Sequence, residues 1–223
     1  MTLTLTANPL LGNDAVQTVE IDRLESPMTI SRPTGQSKRE LRDLRRRQSA
    51  VDAIAGLRPG LEIYGFTKGQ FSMLDLIVAL LEKTGPADVV LSTWTAARHE
   101  ILTLDKLVKT GVLKSMRWLV DFTFARRDPQ AANQIRMTFG VDAIRVAQTH
   151  AKFCLFTNDD WQIALRTSMN LNMNPRFEDF TIAHDPELAT FLTKIIDEIW
   201  KRQDRGLAAA SPADIRRFFN EEM

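Results

Sequence analysis

From residue 61 to residue 139 the hydrophobic positions switch repeatedly between strand-like and helix-like spacing. Short apolar or alternating runs are each followed by a segment in which apolar residues recur every three or four positions. The first helical segment opens with Ser72-x-x-Asp75, which resembles a capping box. Repeated strand–helix units of this length predict an α/β fold with a mostly parallel sheet and helices on both faces. The predicted strands cover residues 61–66, 88–94 and 115–122, and the helices cover residues 71–81, 101–108 and 129–139.

The rhythm changes after Gly140, where four strand-like runs follow one another with short connections. Asp185-Pro186 then supplies an N-cap residue and a proline in the first helical turn, and a 3.6-residue apolar period follows. A last short helix is predicted to begin at Ser211. The four predicted strands cover residues 143–147, 150–156, 162–167 and 177–183.

The first 58 residues differ from the rest. Residues 1–35 lack sustained periodicity and contain Asn-Pro, Ser-Pro and Arg-Pro pairs, which indicates a flexible arm. Residues 36–58 are predicted to hold a basic helix that ends before the α/β domain of residues 59–223. Such a helix is more often a solvated face, but its six cations against two carboxylates suffice for several phosphate contacts. The candidate nucleic-acid-binding residues are Lys38, Arg39, Arg42, Arg45, Arg46 and Arg47.

Composition narrows the class of protein. The 223 residues allow one sizeable core, and contents of 44% apolar and 26% charged residues are ordinary for a globular protein. The net charge of +1 creates no overall field toward nucleic acid, so any attraction must be local. No apolar run reaches membrane-spanning length, and the single cysteine, Cys154, excludes an internal disulfide and is predicted to lie in the core. These features favour a cytoplasmic protein without a membrane partner.

Two ionisable residues stand in the apolar run of the second of the four late strands. His150 and Lys152 share one face of that predicted strand, roughly 7 Å apart. Burying both without partners is costly, and an anion between them would remove the cost. Ser168 and Asn170 follow the next strand, where they also suit an ordinary turn. Glu178, on the strand after that, has the parity of inward-facing residues and is placed to accept a hydrogen bond from an imidazole.

The order of these residues resembles a known family. His150-Ala-Lys152, then Ser168-Met-Asn170, then Glu178 is similar to the phospholipase D superfamily, whose motif runs HxKxxxxD, GSxN and an acidic residue on the next strand. The resemblance implies a phospholipase D-like α/β sandwich, with a mostly parallel mixed sheet flanked by helices. It also implies that these five residues form the catalytic site.

The resemblance covers residues 60–205 and departs from the motif at two positions. Thr157 stands where the family has its aspartate, and Thr167 stands where it has the glycine before the serine. The family's aspartate is regarded as supporting rather than chemical, so the departures concern activity more than fold. The chain holds one HxK, as do small bacterial nucleases of the family in which two subunits pair their motifs. The resemblance therefore implies a homodimer with an isologous site.

The mechanism that the resemblance implies needs neither a metal nor another cofactor. His150 of one subunit attacks phosphorus and forms a phosphohistidine, while His150 of the other protonates the leaving oxygen and then activates water. Lys152, Ser168 and Asn170 hold the non-bridging oxygens. Because one histidine must be deprotonated and the other protonated, the activity is predicted to have a bell-shaped pH profile.

Three functions remain open at this point. The first is a phosphodiesterase acting on DNA, which the basic segment and the lack of a membrane-binding segment favour. The second is an inactive nucleic-acid-binding protein of the same fold, which is suggested by Thr157 and Thr167 in place of two motif residues. The third is a phospholipid hydrolase, which would need an apolar surface at the site.

Overall fold

The computed structural model describes residues 38–42 and 50–207, with the backbone alone for residues 38–42. Within these ranges the chain forms eight strands and six helices. The strands are β1 (Lys38–Arg42), β2 (Leu61–Lys68), β3 (Ala87–Thr93), β4 (Leu113–Asp121), β5 (Ile144–Ala147), β6 (Phe153–Thr157), β7 (Gln162–Thr167) and β8 (Phe177–His184). The helices are α1 (Ala50–Ala53), α2 (Met73–Thr84), α3 (Arg98–Lys109), α4 (Phe124–Arg127), α5 (Pro129–Phe139) and α6 (Pro186–Arg202). The arm predicted over residues 1–35 and the helix predicted from Ser211 lie outside the described residues.

Short polar signals set the starts of the main helices. The Ser72 side chain accepts a hydrogen bond from the Asp75 N–H, and the Asp75 carboxylate accepts one from the Ser72 N–H, so the predicted capping box is present at α2. Asp128 caps α5 and Asp185 caps α6, each with a proline in the first turn. These caps explain why the starts of α5 and α6 agree with the predictions.

The strands form one mixed sheet in the order β1-β2-β8-β7-β6-β3-β4-β5. Among the described strands, the pairs at both ends of this order are parallel, and the four pairs from β2 to β3 are antiparallel. The predicted α/β sandwich is confirmed. The sheet is less parallel than the strand–helix rhythm suggested, because the closely spaced late strands β6, β7 and β8 enter its middle as antiparallel neighbours.

Helices cover both faces of the sheet. The larger core lies on one face, where α1, α2, α3 and α5 pack against the sheet around the fully buried Trp118 and Phe156. A smaller core lies on the other face, where α6 packs Leu188, Ile196 and Ile199 against β3 to β7. Cys154 lies in the larger core as predicted, and burial raises the pKa of its thiol well above the ordinary value.

Residues 38–42 form strand β1 and not the predicted basic helix. β1 pairs in parallel with β2, from Lys38 opposite Leu61 to Arg42 opposite Gly65. The basic segment offers few apolar residues for the stripe that stabilises a surface helix, whereas the sheet edge offers a row of backbone hydrogen bonds. Tertiary pairing therefore overrides the local pattern.

The described part of the segment 36–58 belongs to the main body of the protein. β1 is part of the sheet, and the larger core includes four buried residues just beyond the undescribed stretch, Ala50, Ala53, Ile54 and Leu57. These contacts join the described part of the segment 36–58 to the elements that follow residue 59. Within the described residues, no helix combines the length and the apolar character that crossing a membrane requires.

Candidate active site

His150 and Lys152 lie in the segment that leads into β6, and the strand begins one residue after Lys152. The strand predicted from residue 150 is therefore shorter at its start. The Ala151 N–H donates to the Thr149 hydroxyl over 3.1 Å, and the Ala151 carbonyl accepts from the Ser92 hydroxyl over 2.9 Å. Side-chain hydroxyls thus satisfy this backbone and compete with strand pairing.

The side chains of His150 and Lys152 are in contact. Lys152 Nζ lies 3.1 Å from His150 Nδ1 and donates to the His150 carbonyl over 2.8 Å, so the two groups are much closer than the predicted 7 Å spacing. Burial lowers the pKa of Lys152, and the nearby Glu178 carboxylate acts in the opposite direction. An anion that binds beside the Lys152 ammonium would offset the free-energy cost of its burial.

Ser168 and Glu178 form a second polar pair at the site. The Ser168 hydroxyl donates to the Glu178 carboxylate and accepts from the Asp179 N–H over 3.0 Å. Glu178 also accepts a hydrogen bond from Asn174 Nδ2 over 3.2 Å. Both carboxylate oxygens therefore have donors, and in this structure Glu178 orients Ser168 instead of the His150 imidazole that the sequence suggested.

Asn170 is held by the residues that end β3. The Thr93 hydroxyl lies 3.5 Å from Asn170 Oδ1 and accepts from the Leu171 N–H over 3.3 Å. The Leu171 N–H also points to the Thr95 carbonyl, 3.2 Å away. This contact fixes the loop after β7 against the loop after β3.

Strand register brings all five candidate catalytic residues to one edge of the sheet. The end of β3 lies beside the start of β6, which lies beside the end of β7, and the start of β8 completes the row. His150 and Lys152 precede β6, Ser168 and Asn170 follow β7, and Glu178 is the second residue of β8. The arrangement puts an imidazole, an ammonium, a hydroxyl, an amide and a carboxylate at the same end of neighbouring strands.

Two further residues at this edge were not singled out as site residues from the sequence. The Trp94 ring lies 5.8 Å from the His150 ring, centroid to centroid, and the Arg127 guanidinium lies 3.6 Å from the centroid of Trp94. Arg127 also donates to the Trp94 carbonyl over 2.6 Å. Trp94 follows β3 and Arg127 ends α4 just after β4, and positions after parallel strands are where such sheets bind ligands, which is the signal that could have found them.

The comparisons with known proteins bear on the fold. No protein-family model matches the sequence, and a search of curated proteins finds no match. The structure is similar to NucT from Helicobacter pylori, with a TM-score of 0.50 and 11% identity, over 65% of this chain and 99% of NucT. It is also similar to Nuc from Salmonella typhimurium, a phospholipase D family member, with a TM-score of 0.49 and 15% identity, over 65% of this chain and 96% of Nuc. The chain has the phospholipase D fold.

The two departures from the phospholipase D motif lie in different places. Thr157 ends β6 and pairs with Gln162, five residues and roughly 16 Å along the strand from Lys152. Thr167 ends β7, directly before the motif serine, and its hydroxyl donates to the Asp179 carbonyl over 2.6 Å and accepts from the backbone N–H two residues on. Thr157 is thus remote from Lys152, and the Thr167 side chain holds the turn that carries Ser168.

The candidate site opens into a groove of about 690 Å³. Lys152 and Ser168 lie at one end, and the groove runs past Arg166 and Asp179 to the first turns of α6. In the part of the chain that the structure describes, no group of three His, Cys, Asp or Glu side chains is arranged to hold a metal ion.

The candidate nucleic-acid-binding residues are separate from the five site residues. Lys38, Arg39 and Arg42 lie on β1, and β2 stands between that strand and β8. The three others, Arg45, Arg46 and Arg47, lie outside the described residues. Contact of these six residues with nucleic acid stays a prediction.

Proposed function

We propose that this protein is a metal-independent phosphodiesterase that cleaves DNA through a phosphohistidine intermediate. The observation that carries the proposal is the contact between the Lys152 ammonium and the exposed His150 ring, 3.1 Å from Nδ1, beside Ser168, Asn170 and Glu178. A nucleophile next to a fixed cation, with further donors at the same end of neighbouring strands, suits attack on a phosphodiester. The phospholipase D fold adds support.

The steps follow from the groups at the site. A neutral His150 nitrogen uses its lone pair to form a bond to phosphorus, and the bond from phosphorus to the leaving oxygen breaks with that oxygen taking a proton. Water then attacks phosphorus, loses a proton, and displaces the imidazole, which regenerates His150. Lys152, Ser168 and Asn170 hold the negative charge that builds on the non-bridging oxygens.

The proton donor and acceptor in these steps would come from a second subunit. The chain has three histidines, and the other two are far from this role. His99 is an exposed residue near the start of α3, and His184 ends β8, at the opposite end from Glu178, with its ring against Trp161. A two-fold axis that brings a second His150 to the site would complete the acid–base pair.

The test is cleavage of plasmid and single-stranded DNA in excess EDTA by the wild type, His150→Ala and His99→Ala, purified in parallel. We expect the wild type and His99→Ala to cleave and His150→Ala to be inactive, with a loss of at least about 10³-fold. A phosphoprotein trapped at low pH with labelled substrate, and absent from His150→Ala, would identify the intermediate. Equal cleavage by all three proteins would contradict the proposal and point to a contaminant.

A second candidate function is an inactive nucleic-acid-binding protein that retains the phosphate site. The observation in its favour is that both Glu178 oxygens are engaged by Ser168 and Asn174, so that Ser168 is committed to the carboxylate in the absence of substrate. Tight DNA binding by the wild type without cleavage in EDTA would favour this function. Hydrolysis of phospholipid vesicles without cleavage of DNA would instead favour a lipid substrate.

A further inference from the structure

Three aromatic rings form a row across β2 and β8, next to the candidate active site. The rings of Phe66 and Phe177 are stacked, with centroids 4.8 Å apart and an interplanar angle of 13°. Tyr64 meets the edge of Phe66 at 5.2 Å and 76°. Phe177 is 67% exposed, an unusually large value for a phenylalanine that is held in a defined stack.

This row lies on the same sheet face as the groove. Phe66 is directly paired with Asp179, and Tyr64 with Thr181, and directly paired residues project from the same face of a sheet. Asp179 and Thr181 line the groove. β8 is one strand and β2 two strands from β7, so the rings lie roughly 5–10 Å to the side of the groove end that holds Ser168.

The charges around the rings suit a phosphate backbone. Lys68 is exposed, and it is paired with Phe177 across β2 and β8. Arg176, also exposed, precedes Phe177 in the chain. The groove itself contributes Lys152 and Arg166 against the single carboxylate of Asp179. Cations that alternate with exposed rings are the pattern by which proteins hold single-stranded nucleic acid.

We propose that the outer ring of the Phe66–Phe177 stack binds an unpaired base next to the scissile phosphate, so that single-stranded nucleic acid is the substrate class of this site. The proposal rests on the proposed phosphodiesterase function. In a duplex both faces of a base are covered by its neighbours, whereas an unpaired base presents a free face that can continue the stack beyond Phe177. The groove cations would then hold the flanking phosphates.

A membrane fits this surface less well. Phe177 and Met173 are the large apolar residues with substantial exposure near the described site, and two side chains are far fewer than an apolar membrane-binding face requires. The parallel packing of two rings is also the geometry that an aromatic base extends, whereas acyl chains need no such order.

The experiment measures binding in the His150→Ala background, so that no substrate is consumed. The probes are a fluorescent oligo-dT, an oligo-U of the same length, and a DNA hairpin with the same number of phosphates. Phe177→Ala removes the ring, Phe177→Leu keeps apolar volume without a ring, and Phe177→Trp keeps a stacking surface. Met137→Ala is the matched control, because Met137 is 71% exposed and lies on α5, on the other face of the sheet.

We expect Phe177→Ala and Phe177→Leu to weaken binding of an unpaired strand by roughly 5- to 150-fold, the range that loss of one stacked base gives. Phe177→Trp and Met137→Ala should bind as the parent does, and hairpin binding should change by less than about 3-fold for every variant. Comparison of oligo-dT with oligo-U tells which of the two single strands is preferred. A 2-aminopurine in the strand should lose fluorescence with Phe177 or Trp at this position and not with Leu.

Several results would overturn the proposal. Equal losses for single strands and hairpins, or a Leu variant that binds as well as the parent, would show that stacking does not operate. A change from dimer to monomer in Phe177→Ala would identify the ring as a subunit contact. If Phe177→Ala lost binding to anionic lipid vesicles but kept its binding to the oligonucleotides, the ring would belong to a membrane surface. Failure of the wild type to cleave DNA would reject the proposed function, yet the binding series would still decide the stacking proposal by itself.

Discussion

The contact between Lys152 and His150 places a cation where the fold partly removes it from water. Burial lowers the pKa of Lys152, and Glu178 only opposes the effect. The folded protein therefore holds this ammonium at a cost to stability, which a bound phosphate would offset. Residues that bind substrate often carry such a cost, because their charge is arranged for a ligand and not for the resting protein.

We expect Lys152→Met to be more stable than the wild type, because the cost of burying the ammonium is removed. We also expect it to be inactive, because the proposed site loses its cation. At pH 7 its midpoint of thermal unfolding should rise by a few degrees. The pKa of Lys152 is lowered in the folded state. The loss of stability from burying the ammonium is therefore fully present below the pKa of the folded state, and it disappears as the pH rises toward the ordinary value of 10.5. The difference in unfolding midpoint between Lys152→Met and the wild type should therefore become smaller as the pH rises, as measured by thermal melts.

Lys106→Met is the control for this prediction, because Lys106 is exposed on α3. It should show neither the gain in stability nor the pH dependence. Inorganic phosphate should raise the melting midpoint of the wild type and leave that of Lys152→Met unchanged. A Lys152→Met protein that melts below the wild type at pH 7 would contradict this account.

At the scale of single residues, the sequence predicted that the five candidate catalytic residues lie on neighbouring strands, but it did not predict the contacts between their side chains. The parity of a strand placed His150 and Lys152 side by side, whereas hydroxyls of Ser92 and Thr149 hold the segment out of strand pairing and let the two side chains meet. Glu178 also accepts a hydrogen bond from Asn174, which lies in the loop between β7 and β8. That loop has no hydrophobic periodicity, so the sequence pattern did not predict this contact.

The elements that carry the site are held together by the packing of two loops. The loop between β2 and α2 meets the loop between β7 and β8 at Gly69, where a Cβ atom would lie 2.9 Å from Pro175 Cα. Gly69 also has a φ of +73°, in the region that favours glycine. On its other side the same β7–β8 loop is tied to α3, because Met173 N–H donates to the Glu100 carboxylate over 3.1 Å.

Gly69→Ala should therefore displace the β7–β8 loop, and Gly60→Ala is its matched control. Gly60 has a similar φ of +77° with nothing within 4 Å of a Cβ atom. The control should lose about 1–2 kcal/mol of unfolding free energy from backbone strain alone. Gly69→Ala should lose roughly 1–3 kcal/mol more, and should also lose cleavage activity. Urea unfolding and the EDTA cleavage assay measure the two effects, and equal losses in both variants would disprove the close contact.

Among the elements, those with local signals were predicted well and those that depend on distant partners were not. α5 and α6 have an aspartate cap and a proline in sequence, so their starts were readable. β1 has no such signal, because its hydrogen-bond partners lie on β2, and its run of cations looked helical. The β7–β8 loop is likewise defined by packing against Gly69 and not by its own sequence.

For the whole molecule, the proposal of a shared site makes a sharp prediction about mixed dimers. A heterodimer of wild type and His150→Ala, isolated by two different tags after co-expression, should show no cleavage, because one reaction needs both histidines. Two independent sites would instead leave about half of the wild-type activity. A heterodimer of wild type and His99→Ala, prepared in the same way, should keep full activity.

Sheet order was beyond the reach of sequence patterns. Periodicity indicated all seven strands between residues 61 and 184, but it does not tell which strands pair. The motif indicated only that the strands carrying its residues are neighbours, and the placement of β6, β7 and β8 between β2 and β3 comes from the structure.

That sheet order also governs when the candidate active site can first form during synthesis. A chain translated only as far as residue 142 contains β2 and β3 but none of the three strands that join them, so it holds two separate pieces of sheet. The site is assembled from the strands that emerge last, after the flanking pieces are already made. If the proposed phosphodiesterase function is correct, a nascent chain cannot cleave nucleic acid until its final strands have entered the sheet.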